Sequence, residues 1–134
     1  MTTPAPVSTG TETSFRKTMS VAEQALFTGI SGNLATLHVD ARAARAAGFD
    51  APLCFELALA SLATTCLNRI GGAGWRIGAL ALDFAAPVTV GTTIAASARV
   101  IETTEHSIVC EVSCAADNGG PVIAGRATLV PAVR

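Results

Sequence analysis

The sequence contains few charged or aromatic residues and no tyrosine. Of its 134 residues, 14% are charged and 4% are aromatic, and the formal net charge is −1. Nucleic-acid-binding proteins use basic faces and stacking aromatic rings, so we predict no nucleic-acid partner. No apolar run reaches the roughly 18 residues that a membrane-spanning helix needs, so we predict no membrane partner either.

The sequence also lacks the cysteine and histidine patterns of disulfide or metal sites. Cys110 and Cys114 lie in a strand-like run, where four residues span about 13 Å, too far apart for a disulfide. No cysteine or histidine pair has zinc-finger spacing. We therefore expect neither a metal nor another cofactor, and we interpret the four cysteines as buried small hydrophobes.

The first residues are polar and rich in Thr, Ser and Pro, without the basic-then-apolar order of a signal peptide. We interpret residues 1–13 as a flexible leader and residues 14–134 as a single domain located in the cytoplasm. Half of the residues are apolar, which favours a well-buried core for a chain of this length.

Helices are predicted in the first half of the chain. Ser20 and Glu23 have the spacing of a capping box, and the apolar face of the helix that follows consists of Leu26, Phe27 and Ile30. Asp40 is placed to cap a short helix over residues 41–47. A third helix, over residues 54–70, is apolar almost all round, which predicts burial on every side.

The second half of the chain has the period of two that is typical of strands. Together with a short N-terminal segment, the predicted strands are residues 14–19, 75–84, 94–102, 107–114 and 122–130. Helices gathered before a run of strands indicate an α+β domain. One long apolar helix beside about five antiparallel strands predicts a sheet wrapped around that helix, the hot-dog fold.

The segment from Phe27 to Leu62 resembles the MaoC-like, (R)-specific enoyl-CoA hydratase family. The family pattern is Ser-Gly-Asp-x-Asn-Pro-x-His-x-Asp, then Ile-x-His-Gly-Met and a helix of small and apolar residues. The residues that match are Ser31, Gly32, Leu37, His38, Asp40, Phe49 and, at the Ile position, Leu53. A later stretch, Leu82 to Gly91, resembles the family's Phe-x-x-Pro-Val-x-x-Gly strand and turn.

The resemblance implies an enoyl-CoA hydratase or 3-hydroxyacyl thioester dehydratase of fatty acid metabolism. Its substrate would be a thioester of coenzyme A or of acyl-carrier protein. In the family, an Asp and a His share the proton transfers. A backbone N–H at the start of the central helix stabilises the negative charge on the thioester oxygen, helped by the helix dipole.

Several positions near this chemistry depart from the family pattern, including Ala35-Thr36 in place of Asn-Pro. Asn33 stands in place of the catalytic Asp, Phe55-Glu56 replaces His-Gly, and Thr64 falls where some members have a helical Ser. Asn33 cannot ionise, so it either orients a water molecule or fills a turn. Glu56 either caps its helix or takes part in the site.

The candidate catalytic residues are therefore His38, Asn33 and Glu56. Histidine titrates near neutrality and suits general acid–base work. The backbone N–H of Phe55 or Glu56 is the candidate oxyanion donor. We expect a dry acyl tunnel beside His38, and the candidate substrate-binding residues are Phe55, Thr64, Leu34, Leu37 and Leu59. Arg42 and Arg45 share one helix face, which is either solvated or in contact with an anionic ligand.

Three functions remain open on the sequence. The first is a hydratase or dehydratase with an altered site, the second is a hot-dog thioesterase, and the third is a non-catalytic subunit that binds an acyl thioester. An unpaired sheet edge invites association, so we also predict a homodimer or a higher homo-oligomer.

Overall fold

The computed structural model describes residues 7–133. Residues 1–6 of the predicted leader and Arg134 lie outside the described residues. The strands are β1 (Glu12–Thr18), β2 (Trp75–Phe84), β3 (Thr93–Thr103), β4 (Ile108–Ala116) and β5 (Pro121–Pro131). The helices are α1 (Val21–Ser31), α2 (Thr36–Val39), α3 (Ala41–Ala46) and α4 (Glu56–Gly71), and a short 3₁₀ turn (Gly72–Gly74) follows α4.

The five strands form one antiparallel sheet in the order β1-β3-β4-β5-β2. Helix α4 lies against this sheet and contacts all five strands. The alternation of β3 shows how the sheet covers the helix, because its inward side chains are all buried: Ile94, Ala96, Ala98 and Val100. The predicted α+β hot-dog fold is confirmed.

Helix α4 differs from its prediction on one face. A helix buried on every side was expected, but one stripe is exposed: Leu57, Ser61, Thr64 and Asn68. These residues are spaced by three or four and therefore lie in line on the helix surface. The prediction was wrong because polar side chains occupy most of this stripe, and only Leu57, 61% exposed, is apolar.

Helix α1 begins as the sequence predicts but turns a different face inward. The backbone N–H of Ser20 donates to Glu23 Oε1 at 3.1 Å, so the capping box is present. Two of the three residues of the predicted apolar face, Leu26 and Ile30, are exposed. The buried residue of this helix is Gln24, because the groups that its amide binds all lie on the inner side, as described below.

Two features near the start of the chain were not anticipated. The sequence did not predict helix α2, which is a single turn. Strand β1 begins at Glu12, two residues before the prediction, and Gly10 already donates to Val100 O at 2.8 Å. The backbone therefore joins the sheet inside the stretch assigned to a flexible leader.

All four cysteines are free and buried. Burial raises the pKa of Cys54, Cys110 and Cys114 to about 11, and it also raises the pKa of Cys66. Between residues 7 and 133, no group of three or more His, Cys, Asp or Glu side chains is arranged to hold a metal ion. Within that same range, no helix is long and apolar enough to cross a membrane.

Candidate active site

His38 is held in place by contacts on two sides. It lies on the one-turn helix α2, and its side chain is 12% exposed. Its ring stacks on Phe55, with centroids 4.4 Å apart, and Phe55 in turn stacks on Phe27 at 4.7 Å. The backbone of the same turn is tied to the segment before α4, because Leu53 N–H donates to Leu37 O at 2.9 Å.

One ring nitrogen of His38 has a fixed partner. Nδ1 lies 2.7 Å from the carbonyl oxygen of Leu53. A carbonyl only accepts hydrogen bonds, so Nδ1 must carry the proton, and in the neutral ring the lone pair is on Nε2. The free nitrogen of His38 is therefore Nε2.

Glu56 faces that free nitrogen. Its Oε1 lies 3.5 Å from His38 Nε2, and its side chain is 52% exposed. Glu56 is the first residue of α4, where the helix dipole favours a carboxylate. The structure thus brings together two of the three predicted catalytic residues, and a small approach would bring the two atoms within hydrogen-bond distance.

The pair lies on the wall of a pocket of about 280 Å³. The pocket runs between the start of α4 and the end of β2, and its lining is Leu37, His38, Leu53, Cys54, Glu56, Leu59, Phe84, Ala85, Ala86, Pro87, Val88 and Val122. Cys54 also faces this space. Since burial raises its pKa to about 11, the thiol is protonated at neutral pH and is a poor nucleophile.

A second pocket, of about 560 Å³, reaches His38 from the side of α1. Its lining is Val21, Gln24, Ala25, Thr28, His38, Val39, Ala51, Pro52 and Val90. His38 is the residue that both pockets share, so it lies between them.

Asn33 is occupied by its own turn. Its Oδ1 accepts from Ala35 N–H at 2.9 Å, and its backbone N–H donates to Ser31 Oγ at 3.1 Å. It is exposed and is absent from the described residues that line the two pockets beside His38. This geometry agrees with the turn-filling interpretation, and a catalytic role for Asn33 stays a prediction.

The predicted substrate-binding residues separate into two groups. Leu37 and Leu59 line the pocket beside the His38–Glu56 pair, and the ring of Phe55 stacks on that of His38. Leu34 is exposed. Thr64 lies eight residues beyond Glu56, about 12 Å along the helix, and its hydroxyl donates to Ser61 O in the same helix.

The two arginines of α3, Arg42 and Arg45, are both exposed. Asp40 caps this helix as predicted, because its Oδ1 accepts from Arg42 N–H at 2.8 Å. The exposure agrees with the solvated interpretation of this face.

Gln24 is a buried neighbour of His38 that the sequence did not predict. It is 6% exposed, and its amide forms hydrogen bonds with backbone groups of His38, Leu53 and Phe55. A single glutamine in an amphipathic helix is a weak indication of a buried contact, because glutamine side chains usually face solvent. Only its burial reveals that its amide belongs to the site.

The hydrogen bonds of Gln24 also affect the two candidate oxyanion donors, whose role stays a prediction. The N–H of Phe55 already donates to Gln24 Oε1 at 3.1 Å. The first N–H groups of a helix have no acceptor within that helix, and Glu56 is the first residue of α4. The N–H of Glu56 is therefore the better placed donor.

The chain belongs to the MaoC-like domain family, whose model matches residues 3–118. Among solved structures, it is similar to the (R)-hydratase from A. caviae involved in PHA biosynthesis. The two are 25% identical with a TM-score of 0.88, and the match covers 92% of this chain and 96% of the hydratase. No match among the curated proteins is significant.

Other solved structures share the fold at lower identity. R-hydratase PhaJ1 from Pseudomonas aeruginosa is 20% identical with a TM-score of 0.88, and 96% of this chain and 85% of PhaJ1 are covered. The HadBC (3R-hydroxyacyl-ACP dehydratase) complex from Mycobacterium tuberculosis contains a chain 19% identical with a TM-score of 0.72, and 91% and 96% are covered. At 20% and 19% identity, these likenesses show the shared fold.

Proposed function

We propose that this protein hydrates enoyl thioesters, or dehydrates 3-hydroxyacyl thioesters, with His38 and Glu56 as its acid–base pair. The observation that carries the proposal is the placement of His38 Nε2 and Glu56 Oε1, 3.5 Å apart on the wall of one pocket. In this proposal, Glu56 supplies the carboxylate that the family's Asp supplies elsewhere, because Asn33 cannot ionise.

The chemistry requires one proton to leave water and another to reach the substrate. Besides the proton on His38 Nδ1, the pair shares one mobile proton, which lies either on His38 Nε2 (imidazolium with carboxylate) or on Glu56 (neutral imidazole with carboxylic acid). The Glu56 carboxylate takes a proton as the water oxygen bonds to C3, and the His38 imidazolium gives its Nε2 proton to C2. Transfer of the proton from Glu56 back to His38 restores the pair, so that water is consumed and the pair is unchanged.

The negative charge that grows on the thioester oxygen needs a donor. The Glu56 N–H at the start of α4 fits this role, and the helix dipole adds to it. A carboxylate on the same residue would oppose that charge if it stood alone. Pairing with the His38 imidazolium makes the two side chains neutral together, which removes most of the repulsion.

The pocket supports an acyl substrate because its wall beyond the pair is apolar. Leu37, Leu59 and Phe84 contribute to it. Burial of each CH₂ group in such a wall stabilises a bound chain by about 0.8 kcal/mol. The carrier is either coenzyme A or acyl-carrier protein.

The test uses purified protein and crotonyl-CoA, with loss of the conjugated enoyl absorbance and release of free thiol followed separately. We expect the absorbance to fall without thiol release. The control variant is Glu105→Gln, which removes the carboxylate of the exposed Glu105–His106 pair. A wild-type protein that does not consume the enoyl thioester contradicts the proposal.

Thiol release in that assay supports the second candidate, a thioesterase. The same pair favours it, because His38 Nε2 and Glu56 Oε1 are also suited to activating a water for attack on the thioester carbonyl. Neither signal supports the third candidate, a non-catalytic hot-dog subunit. Asn33 at the position of the family's Asp favours that function, and structural neighbours include two-chain complexes such as ChsH1-ChsH2 from Mycobacterium tuberculosis.

The proposed assembly is a homodimer or a higher homo-oligomer in which the β2 edges meet. Strand β2 is at one edge of the sheet, and it exposes Ile77, Leu80 and Phe84. Phe84 also lines the pocket, so a partner on this edge would cover its mouth. Light scattering at micromolar concentration tests this, and a monomer under these conditions contradicts it. Leu80→Lys should weaken the assembly, whereas Leu26→Lys on α1 should not.

A further inference from the structure

Gln24 is the buried polar side chain nearest the proposed acid–base pair, and its amide has three partners there. Nε2 donates to His38 O at 2.8 Å and to Leu53 O at 3.0 Å. Oε1 accepts from Phe55 N–H at 3.1 Å. Both amide hydrogens and the amide oxygen are therefore used, and the orientation of the amide is fixed because two carbonyls and one N–H leave no alternative.

Each of these partners also acts on His38. Leu53 O is the atom that accepts from His38 Nδ1 at 2.7 Å, so Gln24 and the imidazole share one carbonyl. Phe55 carries the ring on which His38 stacks. The third partner is the backbone carbonyl of His38 itself. The amide thus links the backbone of α2, the anchor of the imidazole and the residue that precedes α4.

We infer that Gln24 is a positioning residue that holds His38 Nε2 against Glu56 and leaves the Glu56 N–H as the free donor at the start of α4. Helix α1 carries the amide, α2 carries the imidazole and α4 carries the carboxylate. Without the amide, the carbonyls of His38 and Leu53 and the N–H of Phe55 each lose a buried hydrogen-bond partner. This loss lowers the free energy of unfolding and lets α1, α2 and α4 move apart. This inference rests on the proposed function for its kinetic consequence, but not for its structural one.

The structural consequence is measured in the protein without substrate. Imidazole ¹⁵N chemical shifts report which nitrogen of His38 carries the proton. At a pH where the imidazole is neutral, we expect the Nδ1–H form in the wild type, as the bond to Leu53 O requires. In Gln24→Met, which is of similar length and has no amide, we expect a mixture of the two neutral forms and broadened His38 signals. His106, in the same spectra, is the internal reference.

The matched control is Thr13→Val. The Thr13 hydroxyl donates to Cys66 O at 3.0 Å across 53 residues of sequence, so this change also removes a long-range bond between a side chain and the backbone. Its partner lies at the far end of α4 from Glu56. We expect the stability to fall while the His38 signals stay those of the wild type.

The kinetic consequence is measured on crotonyl-CoA well below the unfolding midpoint of each variant. Misplacement of a catalytic group by about 1 Å costs about 100-fold in rate, so we expect a fall of that order in kcat for Gln24→Met with a smaller change in KM. Thr13→Val should retain the kcat of the wild type. If Gln24→Met does not fold, Gln24→Asn keeps the amide on a shorter arm and should show the same two changes.

The two measurements separate the failures. An inactive wild type with a Gln24-dependent His38 tautomer would overturn the proposed function and leave the positioning role standing. A folded Gln24 variant with wild-type His38 signals and wild-type kcat would overturn the positioning role. Equal shifts of the His38 signals in Gln24→Met and Thr13→Val would also overturn it, because they would reflect lost stability alone.

Discussion

The molecule contains two histidine–glutamate pairs with the same functional groups, one in which the imidazole is largely buried and one that is exposed to solvent. His38 and Glu56 come from different segments, and their side chains are 12% and 52% exposed. Glu105 and His106 are neighbours in the turn between β3 and β4, 88–90% exposed and 4.0 Å apart. The difference lies in what holds them. His38 has an anchored Nδ1, a stacked ring and a buried amide behind it, whereas solvent surrounds the ring of His106.

The two pairs differ in the support that surrounding residues give them, and we expect their reactivity to differ for that reason. An exposed pair is worth little, because solvent screens it and both side chains must be ordered to meet. A pair beside an apolar pocket keeps its geometry and acts on a reacting atom in a less polar medium. The predictions below test whether the His38–Glu56 pair transfers protons and the Glu105–His106 pair does not.

The largest expected effect comes from His38→Asn. The Asn amide nitrogen replaces Nδ1 and can still donate to Leu53 O, but nothing replaces Nε2. General acid–base groups contribute about 10²–10⁴-fold, and we expect kcat on crotonyl-CoA to fall by an amount in that range. His106→Asn is the matched control and should leave kcat at the wild-type value. Equal activity of the two variants would place the proton transfers elsewhere.

Glu56→Gln should have the next largest effect. The amide fills the same volume and keeps the start of α4, but it cannot exchange a proton with His38. We expect a fall in kcat of about 10²-fold, the lower end for an acid–base group, while the thermal midpoint stays close to that of Glu105→Gln. A fully active Glu56→Gln would show that His38 works with a different partner.

Asn33→Asp should change the rate by less than either of these. The new carboxylate keeps an oxygen for the Ala35 N–H and lies outside the two pockets beside His38. We expect a change smaller than the roughly 10²-fold effect of a working acid–base group. A large gain in hydration would instead show that position 33 faces the substrate when the enzyme works, as the family pattern implies.

Ser20→Ala affects a third glutamate and should alter stability alone. The Ser20 backbone N–H and hydroxyl lower the pKa of Glu23 in the folded protein. The Ser20–Glu23 hydrogen bonds therefore add stability that is fully present above the pKa of Glu23 in the unfolded chain. That stability is lost as the pH falls through the lower pKa of Glu23 in the folded protein. We expect the variant to lose about 1 kcal/mol in the free energy of unfolding at neutral pH, and less in acid. Urea titrations at several pH values measure this, and kcat should stay unchanged.

The sequence determined the fold because its signals are local. The capping box at Ser20 and Glu23 and the alternation of the strand predicted over residues 107–114 each act over a few residues. Each is reproduced by the structure. The resemblance of the segment from Phe27 to Leu62 to the MaoC-like family is confirmed by the match over residues 3–118.

The sequence named His38 and Glu56 as candidate residues, but only the tertiary structure decided how the candidate site is arranged. The 3.5 Å approach of Glu56 to His38, the burial of Gln24 on α1 and the use of Phe55 N–H by that amide join three helices. Asn33 stands at the position of the family's catalytic Asp, but its side-chain oxygen accepts a hydrogen bond from Ala35 N–H within its own turn. Local patterns fix helices and strands because neighbours along the chain make those bonds. The facing of His38 and Glu56 depends on how separate elements pack, which no short stretch of sequence encodes.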